Sequence, residues 1–318
     1  KHMTKKLLCI LLISLMLVAM LGHSLSFKND SQETVHEETV STVVFTYPDQ
    51  AKVAFLGPLG TFSHEAATIV EGKEVEFVEK ASVEEVLEAL DDGECTYAVV
   101  PIENTIGGLT GKDDLYLNMI LDRDDVTVVC EVDLPIRQTL IGMNGAELKD
   151  IKKVYSHPQG LTQGKEWMEE NIPDVETEVV NSTAEGVKIV SELQDKSCAA
   201  IASPAAAEVF DLSILAENIQ IITTNVTRFY VVTKGTADMS GDHALISVTC
   251  RAEKLPELMK KITDNNASLV SVHERPAKTV LNEYEYVIEL SNANEKVVSA
   301  LLEEDDAKCL GVFTSVRP

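Results

Sequence analysis

Three short polar groups stand where apolar runs of this chain begin or end. Thr227-Arg228-Phe229 lies in NVTRFYVV, spanning Asn225 to Val232. Glu103-Asn104-Thr105 follows the apolar run Tyr97 to Ile102, with Gly107-Gly108 beyond. Ser156-His157-Pro158-Gln159 follows Val154-Tyr155, and Gln163 shares a helical face with Gln159 by its i,i+4 spacing. Hydroxyls, amides, one carboxylate and one guanidinium at strand ends are what α/β proteins use to hold a ligand. A fourth group, Gly57 to Ser63, leads into a helix start whose amides can take a carboxylate. It matches neither the G-x-x-x-x-G-K-[ST] nor the G-x-G-x-x-G phosphate pattern. Singly, each group also fits ordinary structure: a turn accounts for Asn and Gly, a strand start for Thr and a salt-bridged Arg.

The elements that must position these groups alternate. KVAFLG at Lys52 to Gly57 reads as a strand, and FSHEAATIV as the helix after it. Ser82 and Ser182 each precede a Glu by three residues, a capping-box signature for helices that begin there. Pro158 suits the first turn of a helix running through Glu170. Further strands are expected at Thr127 to Val132, Gln138 to Gly142 and Cys198 to Ser203. The alternation predicts an open α/β architecture in two lobes. After a linker at Gly235 to Asp242, the order βαββαβ predicts a ferredoxin-like module. The expected divisions are a signal-like or anchor segment at 1–26, a linker at 27–50, the two-lobed region at 51–234 and the module at 243–316.

Composition narrows the classes. The 318 residues carry 52 acidic and 27 basic side chains, a formal charge of −25, which argues against nucleic-acid binding. An anionic ligand must therefore be held by a local cluster or by helix N-termini. Lys5-Lys6 and the apolar run Leu7 to Leu21 resemble a signal peptide or a short membrane anchor. The cysteines beyond Cys9 are odd in number and lack C-x-x-C, so they read as buried hydrophobes and not as a disulfide frame or metal site. The first observation favours export or anchoring; the second gives no sign of an oxidising compartment.

VAFLGPLGTFSHEAA, VVPIENTIGG, VYSHPQGLTQGKEW, NSTAEG and NVTRFYVV occur in the order and spacing of prephenate dehydratases, and the C-terminal module resembles their ACT regulatory domain. The resemblance covers about Lys52 to Phe313. It implies a two-lobed fold like that of type II periplasmic binding proteins, with the active site in the cleft. The implied reaction takes prephenate to phenylpyruvate, carbon dioxide and water, in phenylalanine biosynthesis and without a cofactor. The family's pocket residues fall on Glu103, Asn104, Thr105, Ser156, Gln163, Thr227, Arg228 and Phe229. Thr105 stands where the family often has Ser, and Gly107 where it often has Glu. A homodimer or homotetramer with L-phenylalanine as effector is also implied.

Thr227 is the expected donor to the leaving hydroxyl, stabilising departing charge or relaying a proton. Glu103 is either the proton reservoir, if burial raises its pKa, or a carboxylate orienting Asn104. Asn104, Ser156 and Gln163 would orient the substrate carboxylates. Arg228 reaches one of them or points away from Thr227 by strand alternation, His157 begins a helix, and Phe229 packs. The family's effector motifs, Gly-Ala-Leu and Glu-Ser-Arg-Pro, read here as Pro256-Glu257-Leu258 and His273-Glu274-Arg275-Pro276. Leu258, Glu274, Arg275 and Pro276 are the effector candidates. The lost glycine and the charge of Glu257 leave a module kept for dimerisation as the alternative. The rival functions are a non-catalytic binding protein or sensor and a prephenate decarboxylase.

Overall fold

The computed structural model describes residues 44–111, 115–123, 125–236 and 240–318. The signal-like segment and most of the expected 27–50 linker lie outside them. The last residues of that linker pack against the fold: Tyr47 is buried and its ring meets Phe45 and Tyr97.

The first lobe runs β1 (Lys52–Leu56), α1 (Phe62–Ile69), β2 (Glu76–Lys80), α2 (Val83–Asp91), β3 (Tyr97–Asn104), β4 (Gly108–Leu109), α3 (Tyr116–Leu121) and β5 (Val126–Pro135). The second runs β6 (Thr139–Gly142), β7 (Lys153–Ser156), α4 (Pro158–Asn171), β8 (Glu176–Val179), α5 (Thr183–Leu193), β9 (Cys198–Ala202), α6 (Pro204–Val209) and β10 (Ser213–Ala216). The chain then returns to the first lobe in β11 (Val226–Lys234). The module follows as β12 (His243–Arg251), α7 (Leu255–Asp264), β13 (Ser268–Pro276), β14 (Glu283–Ser291), α8 (Glu295–Leu302) and β15 (Ala307–Val316).

Local chemistry sets the helix starts. Ser82 Oγ accepts from Glu85 N at 3.1 Å, and Glu85 reaches back to Ala81 N at 3.2 Å. Ser182 and Glu185 repeat the arrangement. Such caps contribute about 1 kcal/mol each. On α2, Val83, Val86, Leu87 and Leu90 form one buried stripe at i, i+3, i+4 and i+7. Burying a side chain such as Leu87 stabilises by about 1.5–3 kcal/mol.

The two lobes are two sheets. The second has the order β10-β6-β9-β7-β8; the first continues into the module as β13-β14-β12-β15-β5-β11-β3-β1-β2, with β4 on β3. β1 and β3 are apolar on both faces because both are covered. Ala54, Ala98 and Val100 join the core under α2 and α3, while Val53, Phe55 and Val99 join the one under α1. The module strands have the ferredoxin-like order, and β15 joins the first lobe by running parallel to β5 over Thr314 to Val316. The lobes also touch at Gly60. Its φ of +83° and an imagined Cβ 3.1 Å from Ala206 both exclude a side chain, and Ser203 Oγ donates to its carbonyl at 3.2 Å.

Module and first lobe are fastened by a buried charge cluster. Arg228 on β11 lies 3.0 Å from Glu131 and 3.1 Å from both Asp133 and Glu289. Tyr230 donates to Glu289 at 2.9 Å, Ser315 donates to Glu131 at 2.7 Å, and Arg317 pairs with Asp133 at 3.3 Å. Glu131 is fully buried and Glu289 is 1% exposed, so one guanidinium cannot balance every carboxylate around it. Burial pushes the Glu131 carboxyl from its ordinary 4.5 up to about 8, and the charge of Glu289 adds to the rise. Between those values the folded chain holds a proton that the unfolded chain has lost. This contribution to stability is complete below about pH 4.5 and is lost as pH rises through about 8. Melting temperatures measured from pH 6 to 8.5 should therefore fall, and E131Q, which keeps the shape but cannot ionise, should flatten the slope. An equal slope in E131Q would place the titration elsewhere.

Candidate active site

Alternation along a strand sends successive side chains to opposite faces, and on β11 it separates the tripeptide. Thr227 and Phe229 face a cleft of about 650 Å³ between the lobes. Arg228 and Tyr230 face the module and line a separate small cavity. The partner strand carries a register shift: Arg228 pairs with Glu103, while Phe229 pairs with Pro101, so Ile102 is the additional residue. This bulge carries Glu103 to the module side with Ile102 and turns Asn104 to the cleft. Glu103 therefore does not reach the cleft, where it was expected as reservoir or as partner of Asn104. Arg228 does not reach it either, because its guanidinium is occupied by three carboxylates.

Asn104 organises the cleft floor. Its Oδ1 accepts from Ile106 N at 3.0 Å and Gly107 N at 3.1 Å, which fixes the amide. Its Nδ2 then donates to Asn225 Oδ1 and to Thr227 Oγ1, each at 2.8 Å. With Oγ1 accepting, the Thr227 hydroxyl hydrogen is available to the cleft. Thr105 serves the same frame: its Oγ1 accepts from Val226 N at 3.0 Å and donates to Asn225 Oδ1 at 3.3 Å. It does not line the cleft. Nor does Ser156, which is fully buried and donates to Ile201 O at 2.6 Å, tying β7 to β9. An imagined Cβ on Gly160 would stand 2.4 Å from Ser156 Oγ, so the glycine lets α4 lie on this bond. Gln163 is placed as expected, 7% exposed at the cleft wall, with Oε1 lacking a protein partner. Phe229 contributes a ring that is 98% buried.

Sequence reasoning singled out the start of α1 and helix N-termini in general, but not the convergence of three of them. The starts of α1 (Thr61 to Ser63), α4 (His157, Gln159, Gly160) and α5 (Ser182, Thr183) all line the cleft, and helix N-termini favour anions. The capping boxes and Pro158 marked those starts but could not show that they converge. At α1 the expected loop amides are partly spent: Leu59 N donates to Glu79 and Gly60 N to His64. Gln138 and Asn225, 3% and 1% exposed, also border this space, and each has a buried amide atom without a protein partner, the acceptor Oε1 of Gln138 and the donor Nδ2 of Asn225. Among the described residues that line the cleft there is no Lys, Arg, Asp or Glu. The described residues also hold no cluster of three or more His, Cys, Asp or Glu placed to bind a metal. The arrangement is a pocket of amides and hydroxyls at three positive helix ends, suited to a small molecule that carries negative charge.

Comparison with known proteins agrees with this geometry. The family model for prephenate dehydratase matches residues 53–237. The prephenate dehydratase of Lactococcus lactis subsp. lactis is 32% identical over 253 residues, covering 77% of this chain and 88% of its own. A bifunctional chorismate mutase/prephenate dehydratase of Aquifex aeolicus is 30% identical over 282 residues, covering 87% of this chain and 76% of its own. Among solved structures, the prephenate dehydratase of Arthrobacter aurescens in complex with L-Phe has a TM-score of 0.66 at 26% identity, covering 83% of this chain and 90% of its own. The chain belongs to the prephenate dehydratase family.

Proposed function

We propose that the interlobe cleft carries out the family reaction through Thr227, with no ionised side chain among its described lining residues touching the substrate. The observation behind this reading is the Asn104 Nδ2 to Thr227 Oγ1 bond of 2.8 Å, which leaves the hydroxyl as a donor to the cleft. Prephenate is a dianion with a tertiary ring carboxylate and a ring hydroxyl. The ring C–CO₂ bond breaks and its electron pair enters the ring as the C–O bond to the hydroxyl breaks. Carbon dioxide and hydroxide leave, phenylpyruvate keeps one negative charge, and hydroxide takes a proton from solvent to become water. The helix starts of α1, α4 and α5 hold the carboxylates, Gln163 and Gln138 orient them, and Phe229 supplies an apolar wall. Thr227 meets the charge that develops on the departing oxygen.

The module is read as an ACT regulatory domain. Its βαββαβ order supports this, and a relative of the same fold was solved with L-Phe. L-phenylalanine is then the effector, although the expected contacts are not all open to it. Leu258 is fully buried in the module core, and Arg275 is held by Glu285 at 2.5 Å and Asp122 at 2.6 Å. Glu274, Pro276 and Glu257 are exposed. β13 ends the sheet with Leu269 and Val272 at 46% and 38% exposure, which favours self-association of the chain through this edge.

T227A should lower kcat by about 10²–10⁴ with an unchanged circular dichroism spectrum, and T227S should keep most of the rate. Near-normal turnover of T227A would remove Thr227 from the chemistry. Product analysis with prephenate should give phenylpyruvate; a non-aromatic dihydro product, or none, would favour the decarboxylase or the binding protein. L-phenylalanine should inhibit the wild-type chain, and E257A should lower the inhibitory concentration. Absence of inhibition in both would leave the module a role in assembly alone.

A further inference from the structure

We propose that Asn225 is a second donor to the departing oxygen, acting beside Thr227. The inference rests on the dehydratase reading of the cleft. Asn225 is 1% exposed and lines the cleft floor just before β11. Its Oδ1 accepts from Asn104 Nδ2 at 2.8 Å and from Thr105 Oγ1 at 3.3 Å. The Asn104 donor settles the orientation of the amide, because a flip would set its NH₂ against the NH₂ of Asn104, whose own orientation is fixed by Ile106 N and Gly107 N. Asn225 Nδ2 is thereby committed to a buried position with no partner in the protein. Buried donors are nearly always satisfied, and the residue that carries this one borders the substrate cleft.

The placement relative to Thr227 gives the donor its task. Asn225 Oδ1 and Thr227 Oγ1 each lie 2.8 Å from the same nitrogen, Asn104 Nδ2. One amide therefore holds both groups, and because each accepts from it, the hydrogens of both stay out of those two bonds. Two neutral donors held by one frame meet the need of an oxygen that gains charge as its bond to carbon breaks. Such donors contribute most in the transition state and cost no reorganisation when the bond breaks. Thr105 and Asn104 are then positioning residues that act through Asn225 and Thr227. Thr105 Oγ1 accepts from Val226 N, and its one hydrogen is shared between Thr224 O and Asn225 Oδ1, each at 3.3 Å.

The test compares N225D with the wild type in a phenylpyruvate assay from pH 5 to 8.5. Asp keeps the oxygen that accepts from Asn104 and Thr105, so the frame survives while the donor is lost. The expected result is a fall in kcat of about 10²–10³ at neutral pH with KM changed less than threefold. Activity of N225D should recover at low pH, as its carboxyl takes a proton and becomes a donor again, a limb absent from the wild type. N225A removes donor and acceptor together and should show the same loss without that recovery. Wild-type kcat in N225D, a loss confined to KM, or pH profiles of the same shape in all three proteins would each overturn the proposal. If N225D does not fold, by circular dichroism, N225A alone decides on kcat against KM. Failure of the wild type to form phenylpyruvate would instead overturn the reading of the cleft on which the inference rests.

Discussion

The period-two geometry of one strand, β11, governs the rest of this molecule. Paired with β3 on one side and β5 on the other, it cannot rotate, so neighbouring residues must serve opposite faces. Thr227 is given to the cleft and Arg228 to the carboxylates that fasten the module. The bulge at Ile102 applies the same division to β3, with Asn104 on the cleft side and Glu103 on the other. A slip of one residue would exchange the two sets. The guanidinium, locked by buried carboxylates on β5 and β14, opposes such a slip, because leaving any of those charges unpaired in the interior is costly.

The electrostatics of the chain divide along the same plane. With a formal charge of −25 the surface repels anions at long range. The described cleft wall carries no Lys, Arg, Asp or Glu, and what it offers an anion is fixed dipoles at three helix starts and amides already in place. Fixed dipoles of this kind add no charge that must be neutralised when the cleft is empty. The interior acids lie on the far side of the sheet, where Arg228 and a retained proton on Glu131 compensate them.

Much of this was legible in the residues. The alternation of strands and helices, both capping boxes, Pro158 at a helix start and the βαββαβ module follow from local pattern, and each has a local physical cause. Thr227, Asn104 and Gln163 could be singled out because several polar groups, each ordinary by itself, occur together in the order and spacing of one family. The errors share a different origin. Glu103 was misplaced because its facing depends on a bulge, and Arg228 stayed undecided between two faces because its salt partner Glu289 is more than 60 residues away. Ser156 was misplaced because its acceptor, Ile201 O, comes from a strand 45 residues later. Asn225 stood in the quoted motif but could not be weighed until Asn104 was seen to fix its orientation.

The joining of β15 to β5 has a consequence for how the chain is made. Ser315 and Glu131 are 184 residues apart. At a synthesis rate of about 5–20 residues per second, β5 waits on the order of 10 to 40 s for the strand that covers its edge. An uncovered edge invites pairing with other chains, and charged side chains are the usual guard against it. Until Arg228, 95 residues after Asp133, is made and pairs with them, Glu131 and Asp133 are carboxylates on a nascent sheet without that cation. The residue that holds a proton in the finished protein thus spends its early life ionised, discouraging the wrong neighbour until the right one arrives.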